Sequence, residues 1–233
     1  MNVLSRWTTV GFAVLGFVVS RIIAGVAVRF IVPAAQNLDL HARISNGTWI
    51  AIFSLVSTPI LVITLMLASR RSGSNVLAYL GLDIPRRQHL AITVACLAVL
   101  IVFRVALQLA LDWDWVEPWR LEIYRSARAG GSLIWLWLAI VVVGPIGEEL
   151  LFRGFMFRGF VLAPRDAIPY IVLISLIWSL IHTQYDWFVI AEIFVFGLLL
   201  GSVRWSTGST TLTILLHALN NLEGWIETEL VLG

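Results

Sequence analysis

Six residues in the second half of the chain carry side chains able to do chemistry: Glu148, Glu149, Arg153, His182, His217 and Asn221. All six sit inside long apolar runs. There an ionisable group costs from about 3 to over 10 kcal/mol and is a functional candidate by default. Glu149 and Arg153 are four residues apart, the spacing of a helical ion pair. Glu148 is turned from Glu149 by about 100° and faces elsewhere. One arginine cannot fully neutralise two carboxylates, so Glu148 is left as a candidate general base. His217 and Asn221, again four apart, share a helix face, and His182 closes the run Trp178-Ser179-Leu180-Ile181-His182. Counted along their apolar runs, Glu148, His182, His217 and Asn221 fall at similar depths. Three helices are therefore expected to gather them around one cavity. Gly144-Pro145-Ile146-Gly147, just before Glu148, should kink or loosen its helix. Freed backbone carbonyls are tolerated in lipid only where they are satisfied by protein or line a wet cavity. The plainer alternatives are structural glutamates that neutralise arginines, packed histidines and a packing kink.

The elements that must hold these residues follow from composition. The chain has 233 residues, 59% hydrophobic and 13% charged, against about 45–50% and 25% in an ordinary soluble domain. Sixteen basic residues, all arginine, leave a net charge of only +2, in no run longer than two. Disorder and a nucleic-acid-binding face are thereby excluded. Cys96 is the single cysteine, so no disulfide forms within one chain. The expectation is an all-α polytopic transmembrane bundle with a polar intramembrane site. About seven spans are expected, near 8–32, 48–69, 89–111, 133–162, 167–184, 187–204 and 209–230. Residues 1–111 read as scaffold helices and 112–233 as the working core of one membrane domain. The first span, interrupted by Arg21 and Arg29, reads as a retained helix rather than a cleaved signal.

Arg70, Arg71, Arg86 and Arg87 outweigh Asp83 in the loop 70–88, which places that loop and the N-terminus on the cytoplasmic side of the cell membrane. Glu223, Glu227 and Glu229 then fall outside. Trp113, Trp115 and Trp119 belong to an outer interfacial belt, and 115–128 is either a surface helix or a polar loop. Arg104 and Glu192, at similar estimated depth, are expected either to pair or to snorkel separately to the interface.

The three polar elements, in this order, resemble the CAAX prenyl protease and bacteriocin-processing (CPBP) family of intramembrane endopeptidases, type II CAAX prenyl endopeptidase-like. Glu148, Glu149 and Arg153 match its Glu-Glu-x-x-x-Arg motif. His182 matches its Phe-x-x-x-His motif, with Trp178 where phenylalanine is usual. His217 and Asn221 match its His-x-x-x-Asn motif. The resemblance covers residues 130–225; residues 1–110 carry only hydrophobicity. It implies peptide-bond hydrolysis by an all-helical bundle acting on a membrane-associated, prenylated or bacteriocin-type peptide, with membrane lipid as the other partner. By position, Glu148 with His182 would activate water, His217 and Asn221 would stabilise the oxyanion, and Glu149 with Arg153 would support the geometry. No Gly-x-Ser-x-Gly turn supports a serine nucleophile. A glutamate-activated water without cofactor is preferred over zinc, because no His-Glu-x-x-His helix is present. Two other classes stand beside the protease: a non-catalytic peptide-binding or bacteriocin-immunity protein, and a small proton-relaying transporter.

Overall fold

The computed structural model describes residues 2–32, 39–114 and 116–233; Trp115 lies outside them. Among the described residues ten helices follow one another: α1 (Arg6–Ile31), α2 (Leu40–Ile44), α3 (Gly47–Arg70), α4 (Val76–Leu80), α5 (Arg87–Leu111), α6 (Pro118–Ala129), α7 (Leu133–Phe160), α8 (Pro164–Leu180), α9 (Trp187–Thr207) and α10 (Thr210–Leu232). No strand occurs among the described residues. Helix starts are written locally. Ser5, Asn46, Asn75, Asp186 and Ser209 each accept a backbone N–H of the first turn they precede, satisfying donors that a helix leaves open.

Among the described residues five helices, α1, α3, α5, α7 and α9, are long and apolar enough to cross a membrane. The other two expected spans are also helices: α8 has 17 residues, and α10 carries the polar residues of the site along its 23. Leucine, isoleucine, valine and phenylalanine cover the outside of the bundle, with Phe30, Val99, Phe103, Ile168 and Leu173 all exposed. Such a surface suits hydrocarbon, and the helices meet the backbone's hydrogen-bonding demand internally. The chain is an all-α membrane bundle.

Helix α1 packs along α3, and α8 along α9. Arg21, the charge that interrupts the first span, lies over the rings of Phe17 at 4.6 Å and Phe53 at 5.4 Å, a favourable seat for a guanidinium in apolar surroundings. Pro118–Ala129, within and just past the stretch read as surface helix or loop, is helical: Ile123, Tyr124 and Ala127 of α6 are buried, in a cluster with Ala51, Leu136 and Ala139. Part of the arginine-rich loop folds inward. Leu80 and Tyr79 are fully buried, and Thr210 at the start of α10 donates its N–H to Gly81 O at 2.8 Å and its hydroxyl to Leu80 O at 2.6 Å.

Helix α7 is not uniform. Two π-helical stretches, Leu138–Val143 and Leu150–Met156, flank the α-helical turn Gly144–Glu149 that carries both glutamates. In π register a carbonyl pairs with the N–H five residues on, and Gly144 N–H accordingly bonds Ala139 O. Ile140 O would look to residue 145, which is proline and has no N–H. The loosening expected at Gly144-Pro145 is thus a register change with one carbonyl left over. Gly147 lets this turn sit against α3, since a Cβ there would come within 2.8 Å of the Thr58 methyl.

Candidate active site

Glu148 and Glu149 leave adjacent positions of one turn and end in different surroundings. The Glu149 carboxylate is completely buried, and its Oε1 accepts from Arg153 Nη1 and from His217 Nδ1, both at 3.0 Å. Arg153, equally buried, also donates Nη2–H to Gly197 O at 3.3 Å and lays its guanidinium over the Trp178 ring at 4.6 Å. The carbonyls of the second π stretch are taken up in the same region. Arg204 Nε donates to Arg153 O at 2.8 Å and Tyr170 Oη to Phe152 O at 2.6 Å. The helical ion pair expected from the spacing is present, with His217 as an added partner from 68 positions away.

Glu148 faces a cavity of about 430 Å³, within the range of small-ligand and peptide-side-chain sites. Its Oε2 accepts from Trp178 Nε1 at 2.7 Å, and Oε1 makes no hydrogen bond among the described residues. His182, His217 and Asn221 line the same cavity, together with Gly144 and Pro145. The expected gathering of Glu148, His182, His217 and Asn221 around one space is therefore met. Arg153 and Glu149 stand behind it, outside the lining.

Hydrogen bonding fixes what each group can offer. His182 Nδ1 lies 2.7 Å from Trp178 O; a carbonyl only accepts, so Nδ1 carries the proton and the neutral ring keeps an open lone pair on Nε2. His217 Nδ1 faces the Glu149 carboxylate in the same sense, leaving its Nε2 as the uncommitted atom. Asn221 donates one Nδ2 hydrogen to Ile140 O at 2.9 Å, the carbonyl orphaned by Pro145. That bond fixes the amide and leaves its second hydrogen available.

Of the two alternatives for Arg104, neither a pair with Glu192 nor a solitary seat at the interface is what forms. Arg104 instead bonds Glu223 and Glu227, the latter at 2.7 Å, and Gln108 at 3.1 Å. The two glutamates are one turn apart on α10, so a single guanidinium meets both; similar depth alone could not tell which helix faces α5. The same contacts fasten Glu223 and Glu227 of α10 to α5. Arg104, Glu192, Glu223 and Glu227 all line the cavity. Sequence reasoning missed this charged wall. The signal was available in the i, i+4 acid pair near the end of an apolar run and in Arg104, set within the apolar run of α5. It also noted Trp178 only as the residue standing where the motif usually has phenylalanine, although the side chain is 2% exposed and touches both glutamate environments.

Residues 130–222 match the family described as type II CAAX prenyl endopeptidase Rce1-like. Over 122 residues the chain is 31% identical to an Escherichia coli protein described as an uncharacterized 24.3 kDa protein, covering 50% of this chain and 52% of that one. The chain thus spans about half the length of this curated relative. No solved structure matches it. The matched segment contains all six residues singled out above, and over it the chain is similar to the type II CAAX prenyl endopeptidase Rce1-like family.

Proposed function

We propose that the chain hydrolyses a peptide bond of a membrane-associated substrate, with the carbonyl held in the cavity and water as the nucleophile. One observation carries this reading: Glu148, His182, His217 and Asn221 share one cavity, with Glu148 Oε1 and His182 Nε2 uncommitted. Glu148 and His182 orient a water and take its proton as its oxygen bonds the carbonyl carbon. General-base help of this kind contributes about 10²–10⁴-fold. The carbonyl oxygen becomes an oxyanion, met by the second Nδ2–H of Asn221 and, when the ring is an imidazolium, by Nε2–H of His217. The carbon–nitrogen bond then breaks, and the departing amine receives the proton from the Glu148–His182 pair. Glu149 and Arg153 hold His217 in place.

In this reading a glutamate-activated water is the nucleophile; both histidines have Nδ1 engaged and Nε2 uncommitted, and chelation distinguishes it from the zinc alternative. The substrate class is a peptide with a lipid-seated segment, prenylated or bacteriocin-type. The location is the cell membrane, N-terminus cytoplasmic, on the sign of the arginine-rich loop.

The test is purified protein in lipid nanodiscs, incubated with a membrane-peptide library in ¹⁸O water. The expected result is new carboxyl termini carrying ¹⁸O, made equally well with a strong chelator. Cleavage lost to chelator and restored by zinc would replace the glutamate mechanism with a metal one. No new termini from well-folded protein would favour a peptide-binding or immunity role.

A further inference from the structure

Trp178 touches both glutamate environments at once, and nothing in the hydrolytic reaction itself requires an indole. Its Nε1–H donates to Glu148 Oε2 at 2.7 Å, and its main-chain carbonyl takes His182 Nδ1 at 2.7 Å. The ring is clamped from the other side. The Arg153 guanidinium lies 4.6 Å from its centroid, and the edges of His217 and His182 meet it at 5.3 and 5.4 Å with interplanar angles of 81° and 83°. Phe196 closes the remaining side at 6.2 Å. The residue is 2% exposed.

From this geometry we infer that Trp178 is the positioning residue of the site, transferring the fixed geometry of the Glu149–Arg153–His217 cluster to the Glu148–His182 pair. A glutamate has three rotatable side-chain bonds, and an unanchored Glu148 in an open cavity would sample many of their combinations. The indole N–H is its sole hydrogen-bond donor among the described residues, and it engages one oxygen only. Oε2 is thereby held and Oε1 is left to the cavity, so one carboxylate has a seated oxygen and a working oxygen. The seat is itself rigid because the ring carries a cation on its face and two imidazole edges on its flanks, arrangements that favour a single ring orientation. The carbonyl of the same residue fixes the His182 tautomer, so both members of the pair take their orientation from one buried residue.

This inference rests on the hydrolytic reading, and its tests separate the two. Trp178→Phe keeps a ring under Arg153 and removes the N–H. A hydrogen bond to a charged group is worth enough that kcat should fall about 10–100-fold, with KM within about twofold of wild type because the cavity wall is otherwise unchanged. Equal kcat in wild type and Trp178→Phe would overturn the inference while leaving the hydrolytic reading intact. The second measurement needs no activity and no stable Trp178 variant. In ¹⁵N-indole spectra of wild type and Glu148→Ala, the inference expects one Nε1–H resonance to move upfield when the carboxylate is removed. Unmoved indole resonances would sink it even if the protein proved to be a binder rather than a protease.

Discussion

Glu148 and Glu149 are neighbours on one helical turn, yet one is sealed among Arg153 and His217 and the other looks into a cavity beside a single indole N–H. The difference teaches how a bundle can hold a candidate base in a membrane. The buried glutamate meets both Arg153 and His217 through Oε1, because an uncompensated charge there would be prohibitive. The cavity-facing glutamate is held by one oxygen only and retains an oxygen for chemistry. Helical rotation of about 100° between adjacent residues turns a pair of identical side chains into a pillar and a candidate base.

The comparison breaks if the two glutamates respond alike. Glu148→Gln should lower cleavage about 10²–10⁴-fold while leaving thermal unfolding near wild type, since the amide still accepts from Trp178. Glu149→Gln should do the reverse at the level of stability: Arg153 loses its carboxylate while buried, a loss of about 3–5 kcal/mol, read as a large drop in melting temperature. Matching stabilities for the two variants would dissolve the distinction. Asn221→Ala sharpens the cavity side. Loss of one oxyanion donor should cost about 100–1,000-fold in kcat, and the Ile140 carbonyl left without its partner should cost stability of only about 1 kcal/mol.

The smallest expected effect belongs to a carboxyl outside both environments. Glu117, before α6, is raised from 4.5 to about 7, first by burial and then by the neighbouring Asp186 carboxylate. A carboxyl that binds its proton more tightly in the fold stabilises below its unfolded value, and that contribution is lost as pH rises through about 7. Glu117→Gln should therefore melt above wild type at about pH 8, and the difference should vanish near pH 4. A pH-independent difference would contradict the assignment.

What the sequence made legible was local. The Glu149–Arg153 pair and the shared face of His217 and Asn221 follow from helical periodicity, and Gly144-Pro145 announced a loosened helix. Composition alone made the membrane bundle readable. What stayed hidden was non-local. That His217 turns to Glu149, that Arg104 meets Glu223 and Glu227 rather than Glu192, and that Asn221 finds the carbonyl stranded by Pro145 all depend on how helices rotate against one another. The role of Trp178 was hidden for a different reason: the residue was legible only as a replacement for the motif's usual phenylalanine, and its single N–H matters only once a carboxylate is opposite it.

The most direct test of the central claim is mass spectrometry of newly formed peptide termini in membranes expressing wild type or Glu148→Gln, with matched amounts of folded protein. It requires no prior guess at the substrate. The account predicts a set of termini present with wild type and absent with the variant, which would also list the substrates. Identical termini in both membranes would contradict a catalytic role for Glu148.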